Sequence, residues 1–269
     1  MSTVAMSPIA FQTRLARTEV GKGLRLMWRR RSLVVAAAIV YGLTYLGISL
    51  FIGGGHLVED LMVRTLPPML AVLVASTAAV EGTAGLAEEI NGGTLEQTRL
   101  SPASPQLQAL GRMTALAIEG LAVAIVVGIV FVFGVGLHIN PQPAALIPVV
   151  LTVLDALGYG LIMTALVVRV ASIGAISHVG TMAIMAFGGT LVPITFFPHG
   201  VEVFARFIPT SLGVEAINST LAGHGLGATW ADGTLPWLLV HTAVVLTAGF
   251  SLYAINMRHA QREGGLRPR

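Results

Sequence analysis

Three acidic side chains, Glu81, Glu119 and Asp155, stand inside long apolar runs of this 269-residue chain. An ionisable group in hydrocarbon costs several kcal/mol unless it is paired, protonated or hydrated. Acids so placed either line an ion, proton or substrate pathway or pair inside a helix bundle, and both uses are open to these three. Other chemistry finds little footing. The only lysine, Lys22, is followed by Gly23, so there is no phosphate-cradling loop ending in Lys-Ser or Lys-Thr. Neither H-E-x-x-H nor G-x-S-x-G occurs. His56, His138, His178, His199, His224, His241 and His259 include no pair at metal-ligand spacing on one helix turn. With no cysteine, thiol chemistry and disulfides are ruled out as well. The expectation is a chain with no catalytic residue, no metal and no cofactor of its own.

A second acidic feature is of a different kind. The stretch EEINGGTLEQTRLSP, residues 88–102, separates two apolar runs and is too polar to enter lipid. Thr94 suits an N-cap, with Gln97 three residues on to complete a capping box. Ser101-Pro102 stops the helix that would follow. The pattern predicts a short capped helix with acids at its start, a better docking element than an ordinary loop.

The elements that must position these residues are membrane helices. Hydrophobic residues make up 54% of the chain and charged ones only 11%, against about a quarter charged in a soluble domain. Six stretches reach the roughly 20 apolar residues a span needs: TM1 32–52, TM2 66–87, TM3 113–137, TM4 144–168, TM5 171–192 and TM6 235–257. Ahead of them, residues 1–31 form an N-terminal segment. In it Phe11, Leu15, Leu24, Met27 and Trp28 share one helical face opposite basic residues, the pattern of an interfacial amphipathic helix. Residues 258–269 form a basic tail. Within TM2, Ala71, Ala75, Ala79, Thr83 and Ala87 make a small-residue stripe suited to close helix packing.

Charge sets the expected orientation. With both termini cytoplasmic, fourteen of the sixteen Lys and Arg residues lie inside and only Arg64 and Arg206 outside, a strong positive-inside bias. The basic balance then reflects topology and attraction to anionic lipids, and no nucleic acid is expected as a partner. In this frame residues 88–102 are cytoplasmic. Glu81 and Glu119 lie within about two turns of the cytoplasmic ends of their spans, in reach of interfacial water or Arg112, and Asp155 lies about 16 Å from the outer end of TM4. The largest external segment, residues 193–234, is semi-apolar and broken by Pro193, Pro198 and Pro209. It is expected to re-enter the membrane in part, which confines its irregular backbone to protein or a wet cavity.

The residues also carry a resemblance. Glu89, the run Gly93, Thr94, Leu95, Glu96, Gln97, and Leu100, Ser101, Pro102 resemble the E-x-x-x-G-T-L-E-Q-x-x-x-S-P signature of ABC-2 type permeases. Gly189, Pro193, Phe197, Pro198, Pro209 and Glu215 are similar to that family's stretch after TM5. The chain departs from the signature by one extra residue in Ile90-Asn91-Gly92-Gly93. The resemblance implies the transmembrane subunit of an ABC exporter of the drug or lipid type, including multidrug efflux, in a bacterial plasma membrane. It implies two cytosolic ATPase subunits that bind ATP and Mg, and a second permease subunit, identical or paralogous. It assigns coupling to Glu88, Glu89, Gly93, Thr94, Leu95, Glu96 and Gln97, and an external gate to Pro193, Phe197, Pro198 and Pro209. Two other classes stay open on the residues alone: an ion-coupled secondary transporter using Asp155, Glu81 and Glu119, and a membrane assembly factor that transports nothing.

Overall fold

In hydrocarbon every backbone N–H and C=O must find its partner within the protein, which leaves long apolar sequences with helix as the economical solution. The computed structural model describes residues 8–29, 31–92, 104–140, 142–169, 173–190 and 193–262. Among the described residues the regular elements are all helical.

Helix α1 (Pro8–Arg29) leads into α2 (Arg31–Ile52). Gly54 and Gly55, at φ of 62° and 92°, turn the chain back after α2, a conformation that only glycine adopts without strain. Helix α3 (Glu59–Ser76), a π-helical turn (Thr77–Glu81) and α4 (Gly82–Asn91) then follow one another without a break. TM2 therefore starts seven residues before the Leu66 expected from hydropathy. Glu59 and Asp60 in its first turn favour the positive end of the helix dipole. Pro67 and Pro68 lie inside this helix, and a turn before them the Tyr45 hydroxyl of α2 donates to the Met62 carbonyl at 3.2 Å and meets Thr65 Oγ1 at 2.8 Å.

Helix α5 (Pro105–Ile129) also starts earlier than expected, at a site the apolar run does not mark. Ser104 is its N-cap, accepting from the Leu107 N–H at 3.3 Å, and Pro105 fills the first turn, where no backbone donor is needed. A π turn (Val130–Gly134) ends it. A 3-10 turn (Pro143–Ala145) opens α6 (Leu146–Arg169), and α7 (Ile173–Phe187) follows. The segment expected to be external folds into α8 (His199–Ala205), α9 (Ser211–Ser219), a π turn kinked at Gly223, and α10 (Gly225–Ala231). The last helix, α11 (Thr234–Arg262), begins where Asp232 Oδ1 accepts from the Thr234 N–H at 2.8 Å, and it runs past the expected end at Met257.

Five helical runs among the described residues are long and apolar enough to cross a membrane: Arg31–Ile52, Glu59–Leu86, Leu107–Gly134, Pro143–Arg169 and Thr234–His259. The stretch expected as TM5 is described as a helix over 15 residues, with residues on both flanks outside the described set.

Small residues decide which helices meet. A Cβ added to Gly160 on α6 would stand 2.7 Å from the Ala79 Cα, so TM2 and α6 cross backbone to backbone on the small-residue stripe. Gly158 on α6 meets Val245 and Leu246 on α11 just as closely, and Gly249 on α11 meets the Gly158 carbonyl. Helices α6 and α11 are the most extensively packed pair, fastened at the Arg169 end by Asn256 Nδ2 donating to the Ala165 carbonyl at 2.7 Å. The largest apolar cluster instead joins α2, α3 and α5 and includes Tyr45, Met62, Leu66, Val127 and Phe131, with Tyr45 and Phe131 edge to face at 5.1 Å. Helix α2 otherwise faces outward, with Leu33, Val35, Ile39, Val40, Leu43 and Phe51 exposed.

Candidate functional site

Asp155 and His241 lie opposite each other on α6 and α11 because the glycine contacts bring those helices together. Asp155 Oδ1 and His241 Nδ1 are 2.8 Å apart, with Asp155 1% and His241 9% exposed. The imidazole also donates to the backbone of Phe207, in the turn between α8 and α9. One side chain thus ties α6, α11 and the external segment together. Next to it, Thr242 Oγ1 is buried with no hydrogen-bond partner among the described residues. The sequence reading singled out Asp155 but weighed His241 only as a metal ligand. The overlooked signal was a second ionisable group inside another span, which is the natural partner for a buried acid.

Glu81 and Glu119 are brought near each other. Glu81 closes the π turn, and the charge that acts on it is the Glu119 carboxylate on α5. Tyr41 on α2 feels the Glu81 charge and hydrogen-bonds the Thr77 side chain. Two like charges from adjacent helices repel when both are ionised, so this cluster does not by itself hold TM2 to α5. Two residues after Glu81 the buried Thr83 hydroxyl donates to the Ala79 carbonyl at 2.7 Å and lies 3.2 Å from Thr164 Oγ1 on α6.

The residues expected at an external gate pack together after α7. Pro193 precedes a 3-10 turn, Pro198 starts α8, and Phe197 and Phe204 meet the Phe187 ring edge to face at 6.1 and 5.4 Å. Pro209 precedes Thr210, which is 1% exposed and holds the left-handed conformation at φ 82°. A side chain on Gly188 would collide with the Thr210 hydroxyl, and one on Gly213 would overlap Thr152 on α6. Glu202 and Arg206 pair along α8 at 2.9 Å. Burial pushes the Glu215 carboxyl up and the Arg206 guanidinium partly opposes this, while Glu215 Oε2 and Asn218 Oδ1 are buried without partners among the described residues.

At the opposite end, Glu88 is exposed on α4, and Glu89 belongs to the same helix. The short helix expected after the Thr94 cap lies outside the described residues. No break intervenes between Glu81 and Asn91, so Glu88 and Glu89 extend TM2 itself. Gly93, Thr94, Leu95, Glu96 and Gln97, with Ser101 and Pro102, lie outside the described residues. No group of three or more His, Asp or Glu among the described residues could hold a metal ion.

Long apolar helices packed through small residues, with polar groups paired in their midst, define a multi-pass membrane protein. A family model, ABC-2 type transporter, matches residues 15–222, from α1 through α9. The chain belongs to the ABC-2 type transporter family, and it is a membrane transport component, not itself catalytic. Permeases of this family generally work with an ABC ATPase and a partner permease. No curated protein matches the chain.

Proposed function

We propose that this chain is the permease subunit of an ATP-driven exporter that moves an amphipathic or lipid-like substrate out of the cytoplasm or inner leaflet. Two copies of a separate ATPase bind ATP and Mg and supply the energy. A second permease subunit, identical or paralogous, completes the path. The protein sits in a bacterial plasma membrane with both termini inside.

The observation that carries this reading is the unbroken rod from Glu59 to Asn91, about 50 Å long. It crosses the bundle and ends at the acidic segment, so a push on residues 88–97 is delivered along the rod to its Ala79–Gly160 crossing with α6. The π turn at Thr77–Glu81 lies at that crossing, and such turns recur at functional positions in helices. The paired α6 and α11 form the fixed body against which the rod moves. At the outer end the cap dips into the membrane and closes the path, a reading supported by Phe207 reaching His241 and Gly213 reaching Thr152.

An ion-coupled mechanism through Asp155 fits less well, because the carboxylate is enclosed, at 1% exposed, and bonded to His241.

The test is co-purification of a P-loop ATPase with the tagged chain, then ATP hydrolysis with and without amphipathic candidate substrates. Substrate-stimulated hydrolysis supports the proposal. The chain has no native cysteine, so Thr94→Cys is a unique label site. Its modification from outside the cell by an impermeant thiol reagent would end the proposal.

A further inference from the structure

Among the described residues, the buried side-chain oxygens without a partner all fall on two helices, α9 and α11. Two of them, Glu215 Oε2 and Asn218 Oδ1, belong to residues three apart on α9, close enough on a helix for both to meet one group. The other sides of α9 are committed to packing. An added Cβ on Gly213 would overlap Thr152 of α6, and Leu212 and Ala216 join Leu235 and Leu238 of α11 in one cluster. Glu215 and Asn218 lie about 200° and 140° round the helix from Gly213, so their side of α9 is turned away from α6.

What these two oxygens lack is a donor, and a buried acceptor left unmet is costly. The surrounding charge has the same sense. Glu215 feels Arg206, Asp232 and Glu202, one guanidinium against two further carboxylates. Arg206 is already paired with Glu202 at 2.9 Å, and Asp232 Oδ1 accepts from the Thr234 N–H at 2.8 Å. Burial disfavours the ionised Glu215 carboxyl, a cost that an adjoining cation offsets. The described His, Asp and Glu residues include no group of three that could hold a metal ion. A primary ammonium fits better, because one nitrogen carries both a positive charge and three N–H donors.

Apolar surface stands at the same height. Trp237 lies between Leu235 and Leu238, the residues that meet Leu212 and Ala216 on either side of Glu215. Its ring meets Phe207, the neighbour of Arg206, edge to face at 6.3 Å, and both rings are exposed.

We propose that Glu215 and Asn218 bind the primary ammonium head of an amphipathic amine, whose hydrocarbon part lies against the Phe207–Trp237 ring pair. The inference rests on the export reading, which makes such an amine the cargo, but binding itself needs no ATPase.

The test uses the full chain with Trp28→Phe and Trp230→Phe, which leaves Trp237 as the only tryptophan of three. It is placed in phosphatidylcholine nanodiscs and titrated with ω-bromoundecylamine, whose bromine quenches a nearby indole. Quenching of Trp237 should saturate. The ω-bromoundecyl trimethylammonium ion, which lacks N–H donors, and ω-bromoundecanol, which lacks charge, should quench without saturation. Glu215→Gln should weaken amine binding at least about tenfold. Asn218→Asp, which keeps the acceptor and adds a charge, should tighten it, a gain that misfolding cannot mimic. Equal saturation by all three probes, or unchanged amine affinity in Glu215→Gln, overturns the proposal. Saturable amine binding by a chain that co-purifies no ATPase supports the site and removes the export reading alone. Substrate-stimulated hydrolysis without saturable amine binding removes the site alone.

Discussion

Asp155 and His241 are 86 positions apart in the sequence, yet their Oδ1 and Nδ1 atoms stand 2.8 Å apart between α6 and α11. Removing one member of such a buried pair leaves the other uncompensated, which costs about 3–5 kcal/mol. Asp155→Ala and His241→Ala should each lower stability by that amount, and the double variant should lose much less than their sum. Chemical or thermal unfolding in detergent reads this directly. Fully additive losses would show that the two side chains act independently.

Backbone contact between TM2 and α6 makes Gly160 intolerant of any side chain. Gly160→Ala should cost about 1–3 kcal/mol through overpacking against Ala79. Gly227, on exposed α10 with nothing within 4 Å of an added Cβ, should accept alanine within about 0.5 kcal/mol. Melting temperatures of the two variants should separate clearly.

Thr210 is the one described residue other than glycine with positive φ. Its left-handed backbone costs about 1–2 kcal/mol, which glycine would avoid. Thr210→Gly should therefore be less damaging than Thr210→Val, which keeps the strain and loses the hydroxyl beside Gly188. Limited proteolysis of the cap ranks the two. A more sensitive glycine variant would mean that the hydroxyl contact outweighs the strain.

Burial raises the Glu215 carboxyl above its ordinary 4.5, with Arg206 partly opposing. The folded protein then holds this proton more tightly than the unfolded chain does. The group's contribution to stability is complete below 4.5 and is lost as pH rises through the folded value. Glu215→Gln, which stays neutral, should flatten the fall in melting temperature as pH rises above 4.5. An unchanged slope would remove Glu215 as its source.

Reversing Glu89 and Glu96 together to lysine should separate ATP hydrolysis from transport and leave membrane insertion intact. Vesicle transport and phosphate release, measured on one reconstituted sample, provide the comparison. Coupling equal to that of the parent protein would count against the acidic segment as the docking element.

The membrane class and the all-helical character were legible in the sequence because hydropathy is a local property of a chain. The intramembrane acids were legible for the same reason: a carboxyl in an apolar run stands out wherever it folds. Helix ends were read less well. Apolar content marks where lipid begins, whereas Ser104, Glu59 and Asp60 stabilise the helix beyond that point. The run from Glu81 to Asn91 continues TM2 because nothing local interrupts the helix there.

What only the tertiary structure decided is who meets whom. His241 as the partner of Asp155 and Glu119 as the neighbour of Glu81 both depend on where glycine and alanine let two backbones approach. A side chain bound for lipid and one bound for another helix are written in the same apolar letters. In a membrane, shape and not hydrophobicity selects between them.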